Sequence, residues 1–98
     1  MNVIALRVLK QFYERHAQAK PSVIAWYREV SAARWQDLHD LKRQFPSADY
    51  VGDDRVVFDI GGNRYRIVAR VAYAPWYRVM IKFVGTHADY DRINARTV

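Results

Sequence analysis

The chain has no cysteine, only three prolines and four glycines, and no long apolar run among its 98 residues. The missing cysteine removes disulfides, thiolate metal sites and cysteine nucleophiles together. It fits a reducing compartment, so a cytoplasmic protein is expected. No stretch approaches the ~18 apolar residues of a membrane helix. The opening MNVIALRVLKQFYERH has no apolar segment ahead of a small-residue cleavage site, so no signal peptide is expected. There is no Gly-rich strand-to-helix phosphate cradle and no Gly-x-Ser-x-Gly nucleophile turn. No His-x-x-x-His pair is present either. Asp53-Asp54 and Asp89/Asp91 suit a loop and a helix start better than cation ligation, so no metal and no other cofactor is expected.

Acid is also in short supply. Ten Asp and Glu face 16 Lys and Arg, giving a net charge of +6 and an isoelectric point near 9.9. A balance of this kind points to an anionic partner: nucleic acid, an acidic protein or a membrane surface. A hydrophobic fraction of 51% supplies a normal core for one domain spanning residues 1–98.

The first half has helical spacing. Behind a short strand at Asn2–Ala5, the residues Leu6, Leu9, Phe12 and Tyr13 recur at steps of three and four. Pro21 suits the first turn of a second helix, where its missing N–H costs nothing, and Val23, Trp26, Tyr27 and Val30 continue the stripe. A third helical piece is predicted over Gln36–Gln44, ended by Pro46. The second half has a period of two. Arg55–Ile60 alternates, Gly61-Gly62 offers a two-residue hairpin turn, and strands are predicted over Asn63–Tyr73 and Trp76–Val84. Helices followed by strands predict an α+β domain, with helices on one face of an antiparallel sheet and the other face open.

Alternation divides the sheet. Tyr65, Ile67, Ala69, Val71 and Tyr73, with Tyr77, Val79, Ile81 and Phe83, form the core side; Arg64, Arg66, Val68 and Arg70, with Arg78, Met80 and Lys82, form the other. A two-residue turn sets Asp59 opposite Arg64 and Val57 opposite Arg66. Residues 55–82 hold six cations (Arg55, Arg64, Arg66, Arg70, Arg78, Lys82) against one acid, Asp59, which is +5 of the total +6. Lys and Arg also serve simply to solvate a sheet face. The bias of 12 Arg to 4 Lys favours phosphate, which arginine holds bidentately.

Beyond this face lies Thr86-His87-Ala88-Asp89-Tyr90-Asp91. Thr86 is placed as a helix N-cap, with Asp89 at the third position and His87 and Tyr90 on one helical side. His87 is either a general base beside the basic face or a plain surface residue, and Tyr90 either orients a phosphate or stacks on a base, or packs back on the sheet. Its expected neighbours, the arginines and a helix start, are positive and suit a proton acceptor. His16 and His39 are expected to be ordinary surface residues away from the patch.

The stretch Val57-Phe58-Asp59-Ile60-Gly61-Gly62-Asn63-Arg64-Tyr65-Arg66, together with Ile81-Lys82-Phe83-Val84-Gly85-Thr86-His87-Ala88-Asp89-Tyr90-Asp91, resembles the HigB toxins of the RelE/ParE group. The upstream Phe45-Pro46-Ser47-Ala48-Asp49 matches the family's run ahead of its sheet. The most specific signals are Gly-Gly-Asn-x-x-Arg and Thr-His-x-x-Tyr-Asp. The resemblance implies a RelE-like fold of two helices on an antiparallel sheet with a short C-terminal helix. It implies a toxin of a type II toxin–antitoxin pair that cleaves messenger RNA on the ribosome without a metal. It further implies catalytic roles for Arg66, Lys82, His87 and Tyr90, and RNA contacts by Asn63, Arg64, Arg70 and Arg78. A HigA-type helix-turn-helix antitoxin is the implied protein partner. Asp59 departs from the family pattern, in which Asn is frequent at that place; beside Arg64 and Arg66 it either orients them or weakens RNA binding. Two other functions remain open: an inhibitory module without chemistry, like the gyrase-poisoning branch of the group, and a plain RNA-binding protein.

Overall fold

A computed structural model describes all 98 residues, as β1 (Asn2–Ile4), α1 (Leu6–Arg15), a 3₁₀ turn (Ala17–Ala19), α2 (Lys20–Ala32), α3 (Leu38–Gln44), β2 (Asp49–Gly52), β3 (Arg55–Ile60), β4 (Tyr65–Ala72), β5 (Arg78–Thr86) and α4 (His87–Tyr90). The architecture is α+β. Helix α1 buries Leu9 and Phe12 from its predicted stripe and leaves Leu6 exposed. Pro21 sits in the first turn of α2, which buries Val23, Trp26 and Val30. Helix α3 begins two residues later than predicted, because the Asp37 side chain accepts from the Asp40 N–H at 3.0 Å and fixes the start.

The five strands lie in the order β1-β5-β4-β3-β2. Two features were not anticipated. Strand β1 runs parallel to β5, pairing Asn2 with Arg78 and Ile4 with Met80, and β2 adds an antiparallel edge beside β3. The β3–β4 turn also differs. It takes four residues, Gly61 to Arg64, with left-handed φ at Gly61 (61°), Gly62 (63°) and Asn63 (70°). Asn tolerates that region well enough to extend the turn. The register therefore slips by two: Asp59 faces Arg66, and Val57 faces Val68. An even slip keeps every side chain on its expected face.

The main core lies between α1, α2 and the first sheet face. Phe58, 1% exposed, is its centre: its ring meets Trp26 edge-on at 5.3 Å and Phe45 at 5.2 Å, and stacks on Trp35 at 6.4 Å. The second face is not open as expected. Val57, Val68 and Ala95 are buried there, packed with Val51, Phe83, Tyr90, Ile93 and Val98. The C-terminal segment folds back over β3 and β4 to make this small core. Phe83 belongs to it because the β4–β5 register shifts between Val68 and Ala69: Val68 faces Phe83 and Ala69 faces Ile81, leaving Lys82 as the extra residue of a bulge. The bulge turns Phe83 to the second face and Val84 to the main core.

Phe58→Ala removes the ring that three aromatic neighbours enclose. We expect a loss of about 3–5 kcal/mol of stability, read as a lower urea midpoint with unchanged m.

Candidate functional site

The motif residues gather at one end of the second face. Arg66, in β4, stands level with Asp59 on β3 and Gly85 on β5. Its guanidinium pairs with the Asp59 carboxylate and lies over the Tyr90 ring, 5.6 Å from the centroid. The Arg66 side chain is only 15% exposed. It is held on one side by a carboxylate and on another by an aromatic face, so its orientation is set before any ligand arrives.

Helix α4 carries the next two residues. Thr86 caps it as expected: the Asp89 N–H donates to Thr86 Oγ1 at 3.1 Å, and the Thr86 N–H donates to Asp89 Oδ2 at 3.2 Å. The His87 N–H donates to the Arg64 carbonyl at 3.1 Å, which ties the helix start to the β3–β4 turn. Tyr90 packs back on the sheet, 6.5 Å from the Phe83 ring, and in doing so supports Arg66. His87 is exposed, with Asp91 Oδ2 3.5 Å from its Nδ1. The neighbourhood of His87 is thus not purely positive, as the sequence suggested; a carboxylate one turn later faces the ring. Gly85 makes the close approach possible. A Cβ there would lie 2.5 Å from Phe83 Cζ and 3.0 Å from Asp89 Cβ.

The eight predicted residues do not form one patch. Asn63 and Arg64 lie exposed in the turn beside His87. Lys82 is exposed at the bulge, roughly 10 Å along β5 from the Arg66 row at ~3.3 Å per residue. Arg70 is four residues from Arg66, about 13 Å, and Arg78 starts β5 at the far end, roughly 20 Å away. The expected concentration of +5 on one face is also corrected. Arg55 is buried and bonds Asp53 at 2.5 Å and the Val98 carbonyl at 2.8 Å. Arg70 lies 3.7 Å from Asp53 and 3.9 Å from Asp54. With Arg66 on Asp59, three of the six cations have carboxylates, and Arg64, Arg78 and Lys82 have none.

One residue expected to be remote is not. The His16 ring stacks on Phe12 at 4.6 Å at the end of α1, and Phe12 meets the ring of Tyr65, the cross-strand partner of Thr86. Hydrogen bonds from the Thr86 backbone and hydroxyl hold the Asp89 carboxyl below its ordinary 3.8; burial opposes them, and the charges of Arg92 and His16 add a lesser downward pull. His39 is exposed on α3, as expected. No three His, Asp or Glu side chains converge on a common point, and no helix is long and apolar enough to cross a membrane.

Residues 19–93 match the HigB_toxin family model, described as the RelE-like toxic component of a toxin–antitoxin system. The chain belongs to the HigB toxin family. The matched span takes in β2 to α4 and all eight predicted site residues. The chain is also similar to the mRNA interferase toxin HigB of Escherichia coli (strain K12), 33% identical over 98 aligned positions that cover 97% of this chain and 92% of the relative. The mRNA interferases HigB of Escherichia coli O157:H7 and of Shigella flexneri match to the same extent.

The capping pair makes a pH prediction with a definite sign. The Asp89 pKa is lower folded than unfolded, so its stabilisation is complete above the ordinary carboxylate value and is lost as pH falls through the folded value. Thermal unfolding followed toward pH about 2 should show a shallower acid loss for Asp89→Asn than for the parent. Thr86→Ala should cost about 1 kcal/mol near neutral pH. Gly85→Ala should cost roughly 1–3 kcal/mol by driving Phe83 and α4 apart, seen as a lower melting temperature and a changed Tyr90 environment.

Proposed function

We propose that residues 1–98 act as a single toxin domain that cleaves messenger RNA on the ribosome and so blocks translation. The observation that carries this reading is Arg66, fixed by Asp59 and Tyr90 at the sheet end where α4 presents His87. The curated relatives are mRNA interferases by name, and their activity is the one this arrangement suits.

The reaction needs a 2′-hydroxyl that attacks the adjacent phosphorus. The O2′–P bond forms as the P–O5′ bond breaks, leaving a 2′,3′-cyclic phosphate and a 5′-hydroxyl. One group takes the 2′-hydroxyl proton and another supplies a proton to the departing 5′-oxygen. His87 fills one of these two roles, with Asp91 orienting its Nδ1 side. A guanidinium has five N–H donors, so the bond from Arg66 to Asp59 leaves others for the phosphate oxygens. Lys82 adds charge from the bulge, and Tyr90 is a positioning residue that holds the Arg66 plane. Arg64 and Asn63 in the turn, with Arg70 and Arg78 farther along the sheet, bind the RNA strand. Asp59 acts as an orienter, since its one recorded ion pair is with Arg66. The protein partner is a HigA-type helix-turn-helix antitoxin, and the working compartment is the cytoplasm.

Purified protein added to a translating extract should cut messenger RNA. His87→Ala should slow cutting by about 10²–10⁴-fold, and Arg66→Ala by about 10²–10³-fold. Because Arg66→Ala strands the Asp59 carboxylate, the double variant with Asp59→Asn separates lost chemistry from lost stability. Lys82→Ala should reduce the salt slope of RNA binding by about one unit. Full cutting by the His87 and Arg66 variants, or supercoiling inhibition without RNA ends, would overturn the assignment.

A further inference from the structure

The far end of the second sheet face holds a feature that the cleavage site does not use. Trp76 is 63% exposed, the most exposed large apolar side chain of the protein, while Trp26 and Trp35 are 2% and 3% exposed. It borders a cleft of about 400 Å³ whose other walls include Tyr73, Met80, Arg70 and Asp54. Arg70 and Met80 are cross-strand partners, and Arg70 has the same strand parity as Arg66. The cleft therefore continues the face that carries the cleavage site.

The backbone that carries Trp76 is held in a defined turn. The Trp76 backbone N–H donates to the Tyr73 carbonyl at 2.9 Å, and the Tyr77 backbone N–H donates to the same carbonyl at 3.2 Å. Tyr77 has a left-handed φ of 50°, an outlier for a bulky residue that only firm surroundings sustain. Those surroundings are visible. The Arg34 guanidinium lies 4.4 Å from the Tyr77 ring centroid, and Gln36 Nε2 donates to the Tyr77 hydroxyl at 2.8 Å. A rigid turn thus displays an indole to solvent, which is the form of a stacking platform for an unpaired base. The polar walls fit such a base. The Arg70 side chain is 43% exposed and its guanidinium stands 3.7–3.9 Å from Asp53 and Asp54, beyond hydrogen-bond length, so its donors remain available to a phosphate or base oxygen. Asp54, 64% exposed at the rim, can accept from an amino group of a base. Arg78, at the start of β5, is exposed and has no ion-pair partner for the flanking phosphate.

We propose that Trp76 and its cleft form a second RNA subsite, which stacks one unpaired base a few nucleotides from the bond that is cut. The proposal rests on the reading of the chain as an RNA-acting toxin, and its test does not depend on cleavage. With Trp26 and Trp35 sealed, Trp76 is the one tryptophan within reach of an aqueous quencher. A single-stranded RNA carrying 2′-O-methyl groups lacks the attacking hydroxyl and stays intact. Titrating it should quench the tryptophan emission and protect it from iodide, both in the parent and in His87→Ala. Trp76→Ala should bind the strand roughly 5- to 100-fold more weakly, with Trp76→Phe restoring most of the affinity. The fully paired duplex of the same sequence should leave the emission unchanged. Unaltered affinity in Trp76→Ala, or no change in iodide access with the strand bound, overturns the subsite. Shielding of Trp76 in the toxin–antitoxin complex, with none by the strand, assigns the cleft to protein and overturns it too. Absence of RNA cutting with quenching intact counts against the nuclease reading alone.

Discussion

Three consecutive residues of β4, Ile67, Val68 and Ala69, are completely closed off from water. Side chains alternate along a strand, so such a run requires cover on both sheet faces. The helices supply one cover. The other comes from the C-terminal segment, whose Ile93 and Ala95 meet Val57 and Val68. Burying Val68 contributes roughly 1.5–3 kcal/mol relative to exposure, and the segment that buries it must pass through α4. The position of His87 and Tyr90 beside Arg66 is therefore a consequence of closing the second face. The candidate site sits where the cover begins.

The bulge at Lys82 makes that cover fit. With regular pairing Phe83 would point into the main core and Val84 to the second face. The extra residue reverses both, and Phe83 becomes the surface on which Tyr90 packs. Gly85 then leaves room for α4 to start directly above the Phe83 ring. Packing and site geometry are one arrangement here. The Tyr90 ring that seals the small core is the ring that carries the Arg66 guanidinium.

Much of this was legible in the sequence, and what was not has physical reasons. The helical stripes, the cap at Thr86 and the core parity of β3 and β4 follow from local spacing, which needs no knowledge of partners. The resemblance of the Gly-Gly-Asn and Thr-His motifs carried the family. The turn length was missed because Asn63 adopts a left-handed φ that a two-residue Gly-Gly turn does not require. The bulge was missed because Phe83 is as apolar as its alternation demands, so only the neighbouring strand reveals the shift. Strand β1 was visible as a short apolar piece, but its parallel pairing joins residues more than seventy positions apart. The pairing of Arg55 and Arg70 with Asp53 and Asp54 was hidden for a simpler reason. Those acids fall just ahead of residues 55–82, in the turn before β3, and reach back to the arginines of β3 and β4.

That pairing changes what the charge of the sheet can do. A half-buried ion pair is weak evidence for stability, because desolvation offsets much of the Coulomb gain. Its stronger effect is on geometry. Arg66 bound to Asp59 and laid on Tyr90 has few rotamers left, so its remaining N–H groups point in fixed directions and in a less polar medium than water. Such a group grips a phosphate well but attracts it poorly from a distance, since Asp59 cancels its charge. Long-range attraction falls to cations without carboxylates, and Arg64, Lys82 and Arg78 are those among the six. On the RNA-cleaving reading, the sheet thus separates two tasks that a single exposed arginine would have to combine. In that proposal Arg64 and Lys82 would draw the strand to the cleavage end and Arg78 to the Trp76 end, while the neutralised Arg66 would hold the phosphate where the bond breaks.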